Sequence, residues 1–169
     1  MTMVTTERMI IFPISKEELK IKVEKEPDCE MKQAYYEMLD GCIKNPEQHL
    51  WYTAWMMQLK EGNKPLIGDL CFKGLNKNGT VEIGYGINQE YEGIGLTTEA
   101  VIAMTKWASE QPGVLHIEAE TDPDNTASQK VLQKAGFLPN GVMGEEGPRF
   151  EWKNCQTSIR HIRQHGLDA

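Results

Sequence analysis

A chain of 169 residues is long enough for one compact core and short for two. With 40% apolar and 25% charged residues it has the make-up of an ordinary globular domain, and no apolar run approaches the roughly 20 residues a membrane span needs. A formal charge of −7 argues against a nucleic-acid partner and suits a cationic substrate drawn to an acidic cleft.

The opening MTMVTTERMIIFPISKEE lacks the basic n-region and long apolar h-region of a signal peptide. Cys29, Cys42, Cys71 and Cys155 are scattered and form no C-x-x-C pair. A cytoplasmic setting with no metal and no disulfide framework is therefore expected. Met9 to Pro13 reads as an edge strand closed by proline. Ser15 followed by Glu18 is a capping-box pattern for a short helix to about Lys22. Met31, Ala34, Tyr35, Met38 and Leu39 mark one side of a helix over Glu30–Ile43, which Asn45-Pro46 stops. The apolar and aromatic run Leu50–Leu59 reads as a strand, as does Leu66–Leu75, with a hairpin turn at Asn76–Gly79. Val81 to Ile87 alternates strictly, with Glu82, Gly84 and Gly86 on the face opposite Val81, Ile83 and Tyr85.

Helical spacing returns in Ala100, Val101, Met104, Trp107 and Ala108, and Gln111-Pro112-Gly113 ends it. Val114–Thr121 alternates again, setting His116, Glu118 and Glu120 against Leu115, Ile117 and Ala119. Asp124 or Asn125 can cap a further helix, and Gly136 stands where a left-handed C′ residue belongs. Two final strands follow, from Phe137 and over Arg149–Lys153. The order implies a mixed sheet with helices on its faces. Residues 1–153 form a single domain, and the polar tail 154–169 is left with a helix as one expectation; His161 and His165 in it have no third metal ligand.

The informative turn is Glu92-Gly93-Ile94-Gly95-Leu96-Thr97-Thr98, between a strand and a helix. Amides at a helix N-terminus lack intrahelical partners and sit at the positive end of the dipole, so a pyrophosphate binds there readily. Two glycines let backbone approach phosphate, and Thr97 and Thr98 add hydroxyls. The turn is neither a Walker A loop, which needs Gly-Lys-Ser/Thr, nor the G-x-G-x-x-G dinucleotide fingerprint, whose third glycine is Thr98 here.

VEIGYGINQEYEGIGLTTEA (81–100) and NTASQKVLQKAGF (125–137) together resemble the GNAT (GCN5-related N-acetyltransferase) superfamily, whose turn reads Q/R-x-x-G-x-G/A. The resemblance covers residues 66–153 and is nearest to the branch containing ribosomal-protein N-terminal acetyltransferases. It implies one α/β (α+β) domain: a central mixed, mostly antiparallel twisted sheet of about six to seven strands, flanked by about four helices. It also implies acetyl-CoA as co-substrate, bound by Glu92, Gly93, Ile94, Gly95, Leu96, Thr97, Thr98, Asn125, Ser128 and the backbone of Tyr85, Gly86 and Ile87. Glu92 stands at the Q/R position and Thr97 at the Gly/Ala position, both departures from the pattern.

The implied activity is transfer of acetyl to an amine, a protein N-terminus or a small molecule, by direct attack in a ternary complex. Glu82, Glu118 and Glu120 are candidate bases, with His116 as a fourth. Many relatives place a tyrosine seven residues after the asparagine, where Leu132 stands; the branch's serine, three residues after it, is matched by Ser128, the candidate acid. Two readings compete: a non-catalytic acyl-CoA-binding module of the same fold, and a glycine turn that takes another nucleotide. No membrane partner is expected, and monomer and homodimer stay open.

Overall fold

The computed structural model describes residues 2–152; the tail expectations, and Cys155, His161 and His165, lie outside the described residues. β1 (Val4–Thr5) and β2 (Met9–Pro13) form the first edge of the sheet. α1 (Lys16–Lys25) starts at Ser15 with the anticipated capping box: the Glu18 amide donates to Ser15 Oγ at 3.1 Å and the Ser15 amide to Glu18 Oε2 at 2.8 Å. α2 (Cys29–Lys44) is capped by Asp28 and ends before Pro46.

The run Leu50–Leu59 is not one strand. α3 (His49–Tyr52) occupies its start and β3 (Ala54–Leu59) the rest. The short helix turns Trp51 into the core against Phe72 and Trp107, with ring centroids 5.1 and 5.2 Å away. Aromatic burial selects helix here over an extended run that periodicity cannot distinguish. β4 (Leu66–Leu75) and β5 (Thr80–Ile87) form a hairpin. α4 (Leu96–Ser109), β6 (His116–Glu120), α5 (Thr126–Lys134), β7 (Phe137–Met143) and β8 (Pro148–Trp152) complete the described chain.

Among the described residues these elements give one eight-stranded sheet, ordered β1-β2-β3-β4-β5-β6-β8-β7, and five α-helices, slightly more than the resemblance implied. Only β5–β6 is parallel; every other pairing is antiparallel. No helix among the described residues is long and apolar enough to cross a membrane.

The two faces of the sheet differ. Ile11, Trp55, Leu70, Phe72, Ile83, Ile117 and Phe150 pack with Val101 and Met104 of α4 and Leu132 of α5 in the main core. Each such buried side chain contributes about 1.5–3 kcal/mol by leaving water. On the other face Leu19, Tyr35 and Cys42 of α1 and α2 cluster with Ala54 and Met56 of β3. Beyond that cover, the same face carries Glu82 of β5, Glu118 and Glu120 of β6 and Arg149 of β8. The part of that face outside the α1–α2 cluster therefore has a charged floor.

Candidate active site

β5 and β6 run side by side only briefly. Their pairing is Thr80↔His116, Val81↔Ile117 and Glu82↔Glu118. Past Glu82, β5 continues on β4 alone, through Gly84↔Cys71, Leu70↔Tyr85, Asp69↔Gly86 and Gly68↔Ile87. β6 turns instead to β8, with Glu120↔Arg149. The Asn88 amide donates to the Ile67 carbonyl at 2.8 Å, which sets the phase of the β4–β5 ladder. Antiparallel pairs alternate, so the amides of Tyr85 and Ile87 face the gap where the two parallel strands part. An extended amide-bearing chain can add to such an edge.

The gap leads to the glycine turn. Gly93 has φ +74° and Gly95 φ +83°, and Gly95 is the N-cap residue of α4. The first helical bond is from the Glu99 amide to the Gly95 carbonyl, 3.1 Å. Leu96, Thr97 and Thr98 thus present their amides outward from the helix end. A Cβ built on Gly93 meets no protein atom within 4 Å, so the space before the turn is open. The Glu92 amide is spent on the Gln89 carbonyl at 3.2 Å, and the residue is exposed. The turn is braced from the far end of the sheet: Arg8 Nε donates to Glu99 Oε2 at 2.7 Å and Nη1 to the Ile94 carbonyl at 3.0 Å.

Asn125 caps α5, accepting from the Ser128 amide at 3.0 Å. Ser128 Oγ lies 2.9 Å from the Tyr85 hydroxyl. The expected serine and the strand tyrosine are therefore one hydrogen-bonded pair across the main-core face. Burial pushes the Tyr85 phenol up and the Ser128 bond pulls it back only in part, so it stays protonated at neutral pH. Leu132, at the family's tyrosine position, is fully buried core.

The candidate carboxylates share one cation. Arg149 donates to Glu118 Oε2 at 2.7 Å, Glu82 Oε2 at 3.0 Å and Glu120 Oε2 at 2.9 Å. Lys73 adds a second ion pair to Glu82 at 2.7 Å. Burial, the largest single influence on Glu82, would raise its pKa, but Lys73 and Arg149 together outweigh it and hold the carboxyl below the usual range. Glu120 also accepts from the amides of Glu146 and Gly147 at 2.7 and 3.2 Å, anchoring the end of the β7–β8 connection. His116 sits 3.3 Å from Glu151 at the exposed rim. Cys71 is half-buried with its thiol pushed up to about 12, mainly by burial, which keeps it un-ionised.

Pattern reading missed three participants. Arg149 carries no motif and is found only through its three partners. Arg8 lies 91 residues from Glu99. Asp69 of β4 accepts a hydrogen bond from the Tyr35 hydroxyl of α2. Alternation along Asp69, Cys71 and Lys73 was the available signal for the last. The strand that starts at Phe137 runs as far as Met143, with Val142 and Met143 exposed. Among the described residues, no group of three His, Cys, Asp or Glu side chains is placed to hold a metal ion.

In this α/β domain a parted parallel pair leads to a helix N-terminus capped by a positive-φ glycine. The acetyltransferase (GNAT) domain model matches residues 12–138, and the chain belongs to that family. It is 33% identical over 95 residues to the "Uncharacterized N-acetyltransferase YjdG" of Bacillus subtilis (strain 168), a stretch covering 56% of each chain. The chain thus matches about half the length of that curated relative. Among solved structures, a GNAT-family acetyltransferase from Bacillus anthracis superposes with TM-score 0.63 at 21% identity, covering 89% of this chain and 96% of that one. RimL, a ribosomal L7/L12 alpha-N-protein acetyltransferase in complex with coenzyme A, gives 0.63 at 14% identity over 89% and 95%. Aminoglycoside acetyltransferase AAC(6')-Ib, in complex with coenzyme A and kanamycin, gives 0.64 at 18% identity over 91% and 99%. These likenesses establish the fold.

Proposed function

We propose that this chain transfers the acetyl group of acetyl-CoA to an amine by direct attack in a ternary complex. The observation that carries the reading is the parted β5–β6 edge running into the open, positive-φ turn at the head of α4. The outward amides of Leu96–Thr98 and the Gly93–Gly95 backbone would hold the diphosphate, helped by the helix dipole. Glu92 would add no amide, since its own is taken, and its carboxylate would point to solvent. The amides of Tyr85 and Ile87 would hold the pantetheine arm and the thioester oxygen, as donors aimed where negative charge develops. Open Gly86 would let that arm lie close.

When bound, the thioester supplies an activated acyl carbon with a thiolate leaving group. Ser128 Oγ, held by the Tyr85 phenol, would donate to the departing sulfur. Asn125 would fix the first turn of α5 that presents it. Glu82 and Glu118, the candidate bases of the sequence, are held by Arg149 and would serve as an anionic floor that attracts a cationic acceptor. The acceptor class is a protein N-terminus or a small amine, and the cytoplasm is the proposed setting, where Cys29, Cys42 and Cys71 would stay thiols.

Two measurements test this. Acetyl-CoA at 100 times its dissociation constant should add about 2.7 kcal/mol of stability in a thermal-shift experiment, with no shift from NAD or ATP. A shift with the nucleotides and none with acetyl-CoA would assign the turn to another ligand. Ser128→Ala should then lower kcat by about 10–100-fold where chemistry limits, with acetyl-CoA affinity nearly intact. Tyr85→Phe should fall in the same direction by less. An unchanged rate for Ser128→Ala removes it from the mechanism. The non-catalytic acyl-CoA module is favoured by one observation, the acid at Glu92; ligand binding without coenzyme A release on any amine would select it.

A further inference from the structure

The acceptor amine reaches the thioester only as a neutral nucleophile, so some group beside the acyl carbon has to take its proton. Glu82, Glu118 and Glu120 on the floor are committed to Arg149, Glu82 is shared with Lys73 as well, and Glu151, across from Glu118, stands against His116. A further carboxylate stands at the other end of the same face. Asp69 lies directly across from Gly86 in the β4–β5 register, and Cys71 across from Gly84. A hydrogen-bonded antiparallel pair separates its Cα atoms by about 5.5 Å, so Asp69 is one strand away from the free edge of β5. Nothing stands between them: a Cβ built on Gly86 meets no atom within 4 Å, and one on Gly84 meets only Cys71 Sγ at 3.6 Å. The two glycines open a trough across β5, from Asp69 to the parted edge. Tyr35 of α2 donates its hydroxyl to Asp69.

We propose that Asp69, held by Tyr35, binds the acceptor's ammonium group and takes its proton, directly or through one water. This rests on the acetyl-transfer reading above. The ammonium gives one proton to the Asp69 carboxylate, which passes it to solvent. The nitrogen lone pair then attacks the acyl carbon and the N–C bond forms. The C–S bond breaks, sulfur keeps the electron pair, and the second nitrogen proton reaches it by way of Ser128. The products are the N-acetylated amine, coenzyme A and one released proton.

The surroundings suit a base. Burial raises the Asp69 pKa above the ordinary carboxylate value, against the Tyr35 hydrogen bond, which lowers it. The charged groups facing it are few. Lys22 of α1, whose Nζ sits 4.5 Å from the Tyr35 ring centroid, favours the carboxylate, and Glu26 at the end of α1 opposes it. Cys71, its neighbour on β4, stays a neutral thiol. Met56 of β3 and Gly86 of β5, its strand partners, bring no charge.

The test uses the full chain with acetyl-CoA and three acceptor probes: spermidine, kanamycin and a serine-initiated peptide. Asp69→Asn should lower kcat/KM by about 10²-fold or more and erase the acidic limb of its pH profile, while calorimetry finds acetyl-CoA affinity changed less than about twofold. Tyr35→Phe removes the hydrogen bond that favours the ionised form, so the acidic limb should move to higher pH; a purely structural tie would leave it in place. In a crystal with acetyl-CoA, the acyl carbon should lie within about 9 Å of the Asp69 carboxyl, one attack distance plus two hydrogen bonds. Unaltered kinetics in Asp69→Asn, parallel loss of acetyl-CoA binding, or a longer distance overturns the proposal. Failure of the wild type to bind acetyl-CoA would instead overturn the underlying activity.

Discussion

Gly93→Val should raise the dissociation constant of acetyl-CoA by about 10²-fold, the loss expected when one or two charge-assisted hydrogen bonds to phosphate are blocked. The position separates cause from side effect. Its φ of +74° penalises a β-branched residue by about 1–3 kcal/mol, a cost that urea unfolding will read. A Cβ there meets no protein atom, so the fold itself has room for the side chain. The bulk instead fills the space assigned to the diphosphate. Gly93→Ala controls for backbone strain with the smallest side chain and should lose less affinity. Gly95 is a less clean probe, because a Cβ there comes within 3.4 Å of Arg8 Nη2 and presses on the brace. Isothermal titration with acetyl-CoA on folded Gly93→Val decides the matter. Wild-type affinity would mean that the turn does not hold the coenzyme.

Arg149→Met should cost about 3–5 kcal/mol of stability, because it strips the shared counter-ion from three crowded carboxylates. The Arg149 side chain is only 19% exposed and that of Glu120 6%, so water cannot fully replace it. Glu82 keeps Lys73, whereas Glu118 and Glu120 lose their cation. The pH dependence distinguishes this from lost packing. In the wild type, Glu82 has a depressed pKa in the folded state. Its contribution is complete above the unfolded value of about 4.3 and fades as pH falls through the folded one. In the variant Glu82 loses one of the two cations that hold its carboxyl down, so less of that contribution remains at pH 7, and the difference between the two proteins should close as the pH falls and the carboxyl protonates in both. Urea denaturation at neutral and acidic pH reads both. A neutral-pH loss under about 1 kcal/mol would mark the cluster as a solvated surface network.

The parts of this molecule legible in sequence were those in which one stretch of chain carries its own explanation. Ser15 and Glu18 announced a helix start because a capping box closes within four residues. Gly93 and Gly95 announced a tight turn at the head of a helix because the strand, the glycines and the helix are contiguous. Asn125 and Ser128 sit in one turn of α5, and their bond follows from spacing alone. What depends on folding together of distant segments stayed hidden. Glu82, Glu118 and Glu120 looked like independent carboxylates, yet Arg149 makes them a unit across 67, 31 and 29 residues. Tyr85 was expected to contribute backbone; its phenol also meets Ser128, 43 residues on. The start of β3 was misplaced because Trp51 is apolar in either conformation, and only the aromatic cluster selects the helix.

The clasp of Arg8 on Glu99 and Ile94 has a practical side. The Arg8 main-chain amide also donates to Glu99 Oε1, at 2.9 Å, so the corner between β1 and β2 is fastened by two bonds to the first turn of α4 and by one to the glycine turn ahead of it. Affinity tags and fusion partners are often joined just ahead of such a corner. Any strain they exert would be transmitted to the cradle, and by thermodynamic reciprocity a filled cradle would resist it. If the turn holds the coenzyme as proposed, hydrogen exchange at the Arg8 amide would act as a remote gauge of its occupancy.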